Sequence, residues 1–208
     1  MQELLSFATG APVASMLLLL IIVASLIGLY AAPDFVDRNL FRPFWLVPRR
    51  QWATIVTSAF LHADVPHLLF NAFTFWAFAF SLEQRMGSVR FAVLYAFGLL
   101  SSDAGTWFKQ RHNANYQSLG ASGAILAVLF ASIVYFPSAS LFIFPLPVPL
   151  PAPLFALGYL AYSWYASRQT LGRINHDAHL GGAVAGLVFV ALTDAGAFTQ
   201  ALRSVFGN

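Results

Sequence analysis

The sequence predicts an all-α protein embedded in a membrane by six helices, and three observations carry that prediction. Of its 208 residues, 59% are hydrophobic and only 9% are charged, with a mean hydropathy of +0.70. A water-facing domain carries about 25% charged residues because its surface must be solvated. Most of the outside of this chain must therefore face lipid. The third observation is length: six apolar stretches come near the roughly 20 residues that a helix needs to cross a bilayer. They are residues 13–31, 66–82, 91–108, 119–136, 154–166 and 178–192, and with no internal repeat between them they read as one domain over 1–208.

The first stretch reads as a span rather than a cleaved leader. A secretory leader opens with a basic region, whereas the first dozen residues here hold Glu3 and no Lys or Arg. Between the first and second stretches lies a long connector, residues 32–59. It sets Arg38, Arg42, Arg49 and Arg50 among Phe41, Phe44, Trp45 and Trp52. Half-wet Arg and Trp side chains suit the headgroup layer, so this connector is expected to be interfacial. The second, third and fourth stretches are long enough to span. The fifth and sixth are short and are expected to borrow a turn from their flanks. Before the fifth, residues 144–153 place proline at every second position from Pro145 to Pro153. Proline lacks an N–H and biases its predecessor away from the helix, so this piece is expected to be extended.

Composition also excludes chemistry. The chain has no cysteine, which removes disulfides, thiolate nucleophiles and Cys-based zinc sites together. A net charge of +3, scattered along the chain, gives no footprint for nucleic acid. The partners expected instead are the lipid bilayer and the spans of other membrane proteins; the sequence assigns no oligomeric state.

An ionisable or polar group inside a span is costly and marks function by default. Here such groups are few: His62, His67 and Asn71 around the second stretch, Asp103 in the third, Ser122 in the fourth, and His176, Asp177 and His179 at the sixth. Alternate spans run the same way through a bilayer, so the second, fourth and sixth all begin at one face. His67 with Asn71, Ser122, and His179 are therefore expected at similar depth under one surface.

Their chemistry is complementary. A serine becomes a nucleophile when a histidine accepts its proton. A serine at a helix start also has free backbone N–H groups and the positive dipole end beside it, which favour a negative oxygen. His67 and Asn71 are four apart, hence on one face, and both can donate to such an oxygen. Gly120 and Gly123 flank the serine and permit close approach of backbone or substrate. Gly182 and Gly186 form a small-xxx-small stripe able to bring the sixth helix against the fourth. Each item alone has a packing explanation: serine between glycines, an interfacial histidine, an asparagine bridging helices. Their convergence on one face is what favours catalysis.

Four groups are set aside. Asp177 is two residues from His179, and such neighbours diverge on a helix, so a Ser–His dyad is preferred to a triad. Asp103 is expected to pair within the bundle or face water. Glu83 and Arg85, at the far end of the second stretch, read as an ion pair or loop clasp. His62 reads as a loop cap.

The ordered strings HADVPHLLFN, LEQRMGS, GASGA and AHLGGAVAG, spread from Trp52 to Leu192, resemble the rhomboid family of intramembrane serine proteases. The resemblance implies a six-helix rhomboid-like bundle with Ser122 as nucleophile and His179 as base. It implies an oxyanion hole of the Ser122 N–H with the His67 and Asn71 side chains. It further implies transmembrane protein substrates and no metal or organic cofactor. In bacterial members the termini are cytoplasmic and the site opens outward, which points to a bacterial inner membrane. The charge count runs against that orientation. Eight Lys and Arg (Arg38, Arg42, Arg49, Arg50, Lys109, Arg111, Arg168, Arg173) lie on the site's side and three (Arg85, Arg90, Arg203) on the other. Four positions depart from many members: Ala53 follows Trp52, Leu126 stands where an aromatic ring is common, and Ala127 and Phe130 replace glycines. Two other readings compete. One is a catalytically inactive relative that binds or escorts other spans. The other is a metalloenzyme built on His62, His67, His176 and His179, which lacks an HExxH motif and an evident carboxylate ligand.

Overall fold

The computed structural model describes residues 10–142, 148–169 and 175–207. Glu3, Arg173 and residues 143–147 of the proline-rich stretch lie outside the described residues. Each of the six apolar stretches forms a helix: α1 (Pro12–Tyr30), α5 (Val65–Met86), α6 (Ser88–Gln110), α7 (Ser122–Tyr135), α8 (Ala152–Ala166) and α9 (His176–Thr193). The connector after α1 carries three short helices, α2 (Pro33–Asn39), α3 (Pro43–Leu46) and α4 (Thr54–Thr57), then a 3₁₀ turn at Ser58–Phe60. By length and composition α1, α5 and α9 can cross a membrane; α7 is apolar but shorter.

Helix α7 is the centre of the protein. Every residue from Gly123 to Val134 is buried, because α5, α6, α8 and α9 all pack around it. At 1.5 Å per residue its 14 residues reach only about 21 Å, less than the ~30 Å of a bilayer's hydrocarbon core. Its ends therefore depend on other elements for solvation. The neighbours are lipid-facing on their outer sides. α1 buries Ala14, Leu17, Ile21, Ser25 and Gly28, spaced by three or four residues, and exposes Met16, Leu19, Leu20, Val23 and Ile27.

Small residues set the closest approaches. A Cβ on Gly182 would run into the Gly123 carbonyl, and one on Gly186 into the Ala127 carbonyl. The expected small-residue stripe thus seats α9 on the backbone of α7, while the Ala127 methyl packs where Gly98 of α6 has no side chain.

Four features differ from the sequence expectations. The fourth helix begins at Ser122 rather than at 119, because Gly120 adopts φ +116°, a left-handed conformation that stops a helix and that glycine takes without strain. The chain is not purely helical: β1 (Ser140–Phe142) pairs antiparallel with β2 (Pro149–Pro151), so the described flanks of the proline-rich stretch are extended as expected but folded into a hairpin. A further helix, α10 (Ala195–Phe206), follows the sixth stretch. Asp194 caps it, accepting from the Ala197 N–H at 3.1 Å. Finally, Glu83 forms no ion pair with Arg85 among the described residues. Its buried carboxylate instead accepts from the N–H groups of Val13 (3.1 Å) and Ala14 (2.6 Å) at the start of α1, while Arg85 lies over the Tyr135 ring.

The connector does more than lie at an interface. Phe41 and Ser118 exchange two backbone hydrogen bonds, and the Gly120 N–H donates to the Ser58 carbonyl at 3.0 Å. The connector thereby braces the loop that delivers Ser122. Its arginines also engage their neighbours: Arg49 lies 3.8 Å from the Trp45 ring centroid, and Arg42 pairs with Asp37 at 2.6 Å.

Candidate active site

One open cavity of about 1290 Å³ is walled by His67, Asn71, Ser122 and His179. They come from α5, α7 and α9, so residues separated by more than a hundred positions share one wall. Lys109, Gln110, Asn113, Gln117 and Asp177 also line it, and their exposed polar groups make it a site that water can wet.

Ser122 is the first residue of α7. The helix's first internal bond runs from the Ile125 N–H to the Ala121 carbonyl, so the N–H groups of Ser122, Gly123 and Ala124 have no intrahelical partner. They and the helix dipole give this point of the cavity a positive character.

His67 and Asn71 reach the same point from α5. Asp64 caps that helix by accepting from the His67 N–H at 2.8 Å, which sets the first turn on which His67 sits. A Cβ added to Gly120 would lie 2.9 Å from His67 Cε1, 3.1 Å from its Nε2 and 3.9 Å from Asn71 Nδ2. Both side chains therefore converge on the backbone just before Ser122, and only glycine fits there. Asn71 is buried, and its Nδ2 has no hydrogen-bond partner among the described residues. An unpaired buried donor costs about 1–3 kcal/mol, a penalty typical of groups held for a ligand. The other glycine beside the serine serves packing: a Cβ on Gly123 would strike the Ser102 side chain and approach the Ala178 carbonyl at 3.3 Å.

His179 sits one turn into α9, which two sets of bonds anchor. The Asn175 side chain accepts from the Ala178 N–H (3.1 Å) and donates to Thr106 Oγ1 (3.0 Å). Lys109 pairs with Asp177 at 2.8 Å and also donates to the Ser167 carbonyl. Asp177 is thus engaged by Lys109 of α6. His179 Nδ1 lies 3.1 Å from Tyr159 Oη on α8. No hydrogen bond joins Ser122 to His179 among the described residues; they share the cavity wall.

Sequence reasoning missed Tyr159, Lys109 and Asn175 as partners. Asn175 carried a signal, an N-cap residue directly before the helix. Tyr159 carried none, being one tyrosine of three in an apolar aromatic helix.

His62 is not a loop cap. It is 1% exposed and its Nδ1 lies 2.8 Å from Ser25 Oγ. The Ser25 hydroxyl also lies within hydrogen-bond distance of the Phe60 carbonyl, at 3.0 Å. Burial, aided by His67, pushes the His62 pKa down to about 3 while Asp64 opposes the shift, so the ring is neutral at physiological pH. Its edge packs on His67 with centroids 4.8 Å apart. Asp103 has a buried Oδ2 with no partner, so the expected pairing is not formed among the described residues. Among those residues no three His, Cys, Asp or Glu side chains gather as a metal site; the four histidines of the metal reading form two separate pairs, His62 with His67 and His176 with His179.

Comparison with known proteins gives a consistent picture. The model of the Rhomboid domain family matches residues 49–195, a range that includes His67, Asn71, Ser122 and His179. The chain is 32% identical over 139 residues to Rhomboid protein 1, mitochondrial, of Saccharomyces cerevisiae, covering 65% of this chain and 40% of that protein. It is 35% identical over 138 residues to Presenilin-associated rhomboid-like protein A, mitochondrial, of Danio rerio, covering 65% and 36%. It is 29% identical over 163 residues to Rhomboid protease GluP of Bacillus subtilis, covering 76% and 30%. The chain spans less than half the length of each of these relatives. The expected bacterial inner membrane finds no support in a set that mixes mitochondrial and bacterial proteins.

Proposed function

The chain belongs to the rhomboid family, and on that premise we propose that it is a serine-type intramembrane endopeptidase. The observation that carries this reading is the convergence of His67, Asn71, Ser122 and His179 on one water-accessible cavity. In the proposed reaction Ser122 Oγ attacks a peptide carbonyl while His179 accepts its proton. The resulting oxyanion is held by the Ser122 N–H and by donors from His67 and Asn71. His179 returns the proton to the leaving amine, and a water activated by the same imidazole hydrolyses the acyl-enzyme. The reading calls on no metal or organic cofactor.

The substrates in this reading are transmembrane or juxtamembrane segments of other membrane proteins. The short α7 supports that choice. A helix of about 21 Å cannot reach both surfaces of a ~30 Å core, so at least one end lies below the headgroups, and this reading takes the Ser122 end as that one, within reach of a span that unwinds. The same reading takes α1 and α5–α9 as six spans, with the cavity opening to the non-cytoplasmic side as the family resemblance implies. The alternative, an inactive rhomboid-like protein that binds or escorts spans, draws on the missing Ser122–His179 hydrogen bond. Catalytic hydrogen bonds are commonly long before substrate binds, so that observation weighs less than the convergence.

The test is covalent labelling of purified protein in detergent with a fluorophosphonate, beside Ser122→Ala and a chelator control. Labelling of the unaltered chain alone, indifferent to chelator, is the expected result. Labelling that persists in Ser122→Ala would show another nucleophile, and absence of labelling would favour the escort reading. Loss on chelation would favour a metal.

A further inference from the structure

We infer that Tyr159 is a positioning residue for His179: its phenol oxygen accepts a hydrogen bond from the imidazole Nδ1–H and so leaves the Nε2 lone pair for Ser122. The inference rests on the protease reading above and adds a residue that neither the sequence motifs nor the family match singles out.

A neutral imidazole has one N–H, and the partner of one nitrogen decides which nitrogen keeps it. A base that must take a proton from serine needs that N–H on the nitrogen facing away. In Ser–His catalysis a third group commonly enforces this. Among the described residues no carboxylate forms a hydrogen bond or ion pair with His179. Asp177, the nearest in sequence, is bound to Lys109. Leu126 offers no polar atom. The group in position is Tyr159, with Oη 3.1 Å from Nδ1.

Its ring is held for the task. Phe130 of α7 and Phe155 one turn earlier on α8 pack against it, with centroids 5.7 and 5.6 Å away. Two aromatic walls leave the phenol little rotational freedom, so the oxygen is presented at a fixed point. A phenol also suits a low-dielectric site better than a carboxylate, since it can accept the bond without introducing a buried charge. The opposite polarity, Oη–H donating to Nδ1, would put the proton on Nε2 and leave no base toward Ser122.

The experiment compares the unaltered chain, Tyr159→Phe and Ser122→Ala in detergent, using a fluorogenic transmembrane peptide and the fluorophosphonate. Phenylalanine keeps the packing and removes only the acceptor. The expected result is a fall in kcat of about tenfold, the scale of one hydrogen bond, with KM and thermal midpoint little changed. The acid limb of the kcat/KM profile should move to lower pH, because the imidazolium loses an acceptor that favoured it. The titratable groups near enough to act on His179 are Tyr159, His176 and His67; the two histidines are retained, so the shift reports on Tyr159. An unchanged kcat and pH profile, with labelling that still requires Ser122, would overturn this inference and leave the protease reading intact. Absence of Ser122-dependent labelling in the unaltered chain would overturn both. Should Tyr159→Phe not fold, ¹⁵N NMR of histidine-labelled, unaltered protein decides: the Nδ1–H tautomer of His179 supports the inference and the Nε2–H tautomer overturns it.

Discussion

Replacing Asn71 with alanine separates catalysis from folding in a single variant. Among the described residues the buried Asn71 Nδ2 donates to nothing, so its removal breaks no hydrogen bond that atom makes to them. Deleting an unpaired buried donor relieves about 1–3 kcal/mol of desolvation. Truncating the side chain next to an open cavity loses a comparable amount of packing, about 1–2 kcal/mol. The two changes oppose each other, so the stability of Asn71→Ala should stay within about 1 kcal/mol of the parent. The rate should not. One lost oxyanion donor costs about 3–4 kcal/mol in the transition state, a fall in kcat of about 100- to 1000-fold. Steady-state kinetics on a transmembrane peptide, paired with thermal unfolding in the same detergent, reads both quantities. A large fall in kcat with KM and unfolding midpoint nearly constant is the expected pattern. Retained kcat, or a loss confined to KM, would refute the oxyanion role. A rate loss matched by an equal loss of folded protein would show that Asn71 is structural.

Two further outcomes follow from groups outside the cavity. Glu83→Gln leaves one oxygen for the two N–H groups of Val13 and Ala14 and turns an amide NH₂ toward the other, so about 3 kcal/mol of stability should be lost; activity per folded molecule should survive, since Glu83 is twelve residues, about 18 Å, along α5 from Asn71, and unchanged thermal stability would refute the clasp. His62 has its folded pKa pushed to about 3, below its ordinary 6.5, so between those values the unfolded chain binds the extra proton. Stability is then complete above about pH 6.5 and falls as pH drops, by up to about 1.4 kcal/mol per unit. The stability gap between the parent and His62→Gln should narrow from pH 7 to pH 4.5, and parallel curves would count against this account.

Much of the helical framework was legible because lipid imposes a crude rule: a stretch must be apolar and long enough. All six stretches became helices, and only their ends moved. The start of the fourth helix moved from 119 to Ser122 because Gly120, whose N–H is held by the Ser58 carbonyl, adopts a positive φ that stops the helix. Short elements escaped notice: α10 begins at a capped turn beyond the last apolar run, and the hairpin is held by pairing between residues 140–142 and 149–151. Within the site, His67 and Asn71 were legible as a pair from their spacing of four, and Ser122 from its setting between glycines.

What the chain determined by itself was its solvent and its inventory. Too few charges for a wet surface, six apolar runs, and a handful of polar groups near the starts of alternate runs follow from composition and order alone. The rotation of each helix about its axis was left to the tertiary structure, because a helix apolar all round has no periodic stripe to say which side faces protein. That rotation decides that Glu83 caps α1 from 69 and 70 residues away and that Tyr159 meets His179. Such contacts pair one polar atom with one partner, and their specificity lies in distance and direction, which only the packed bundle defines.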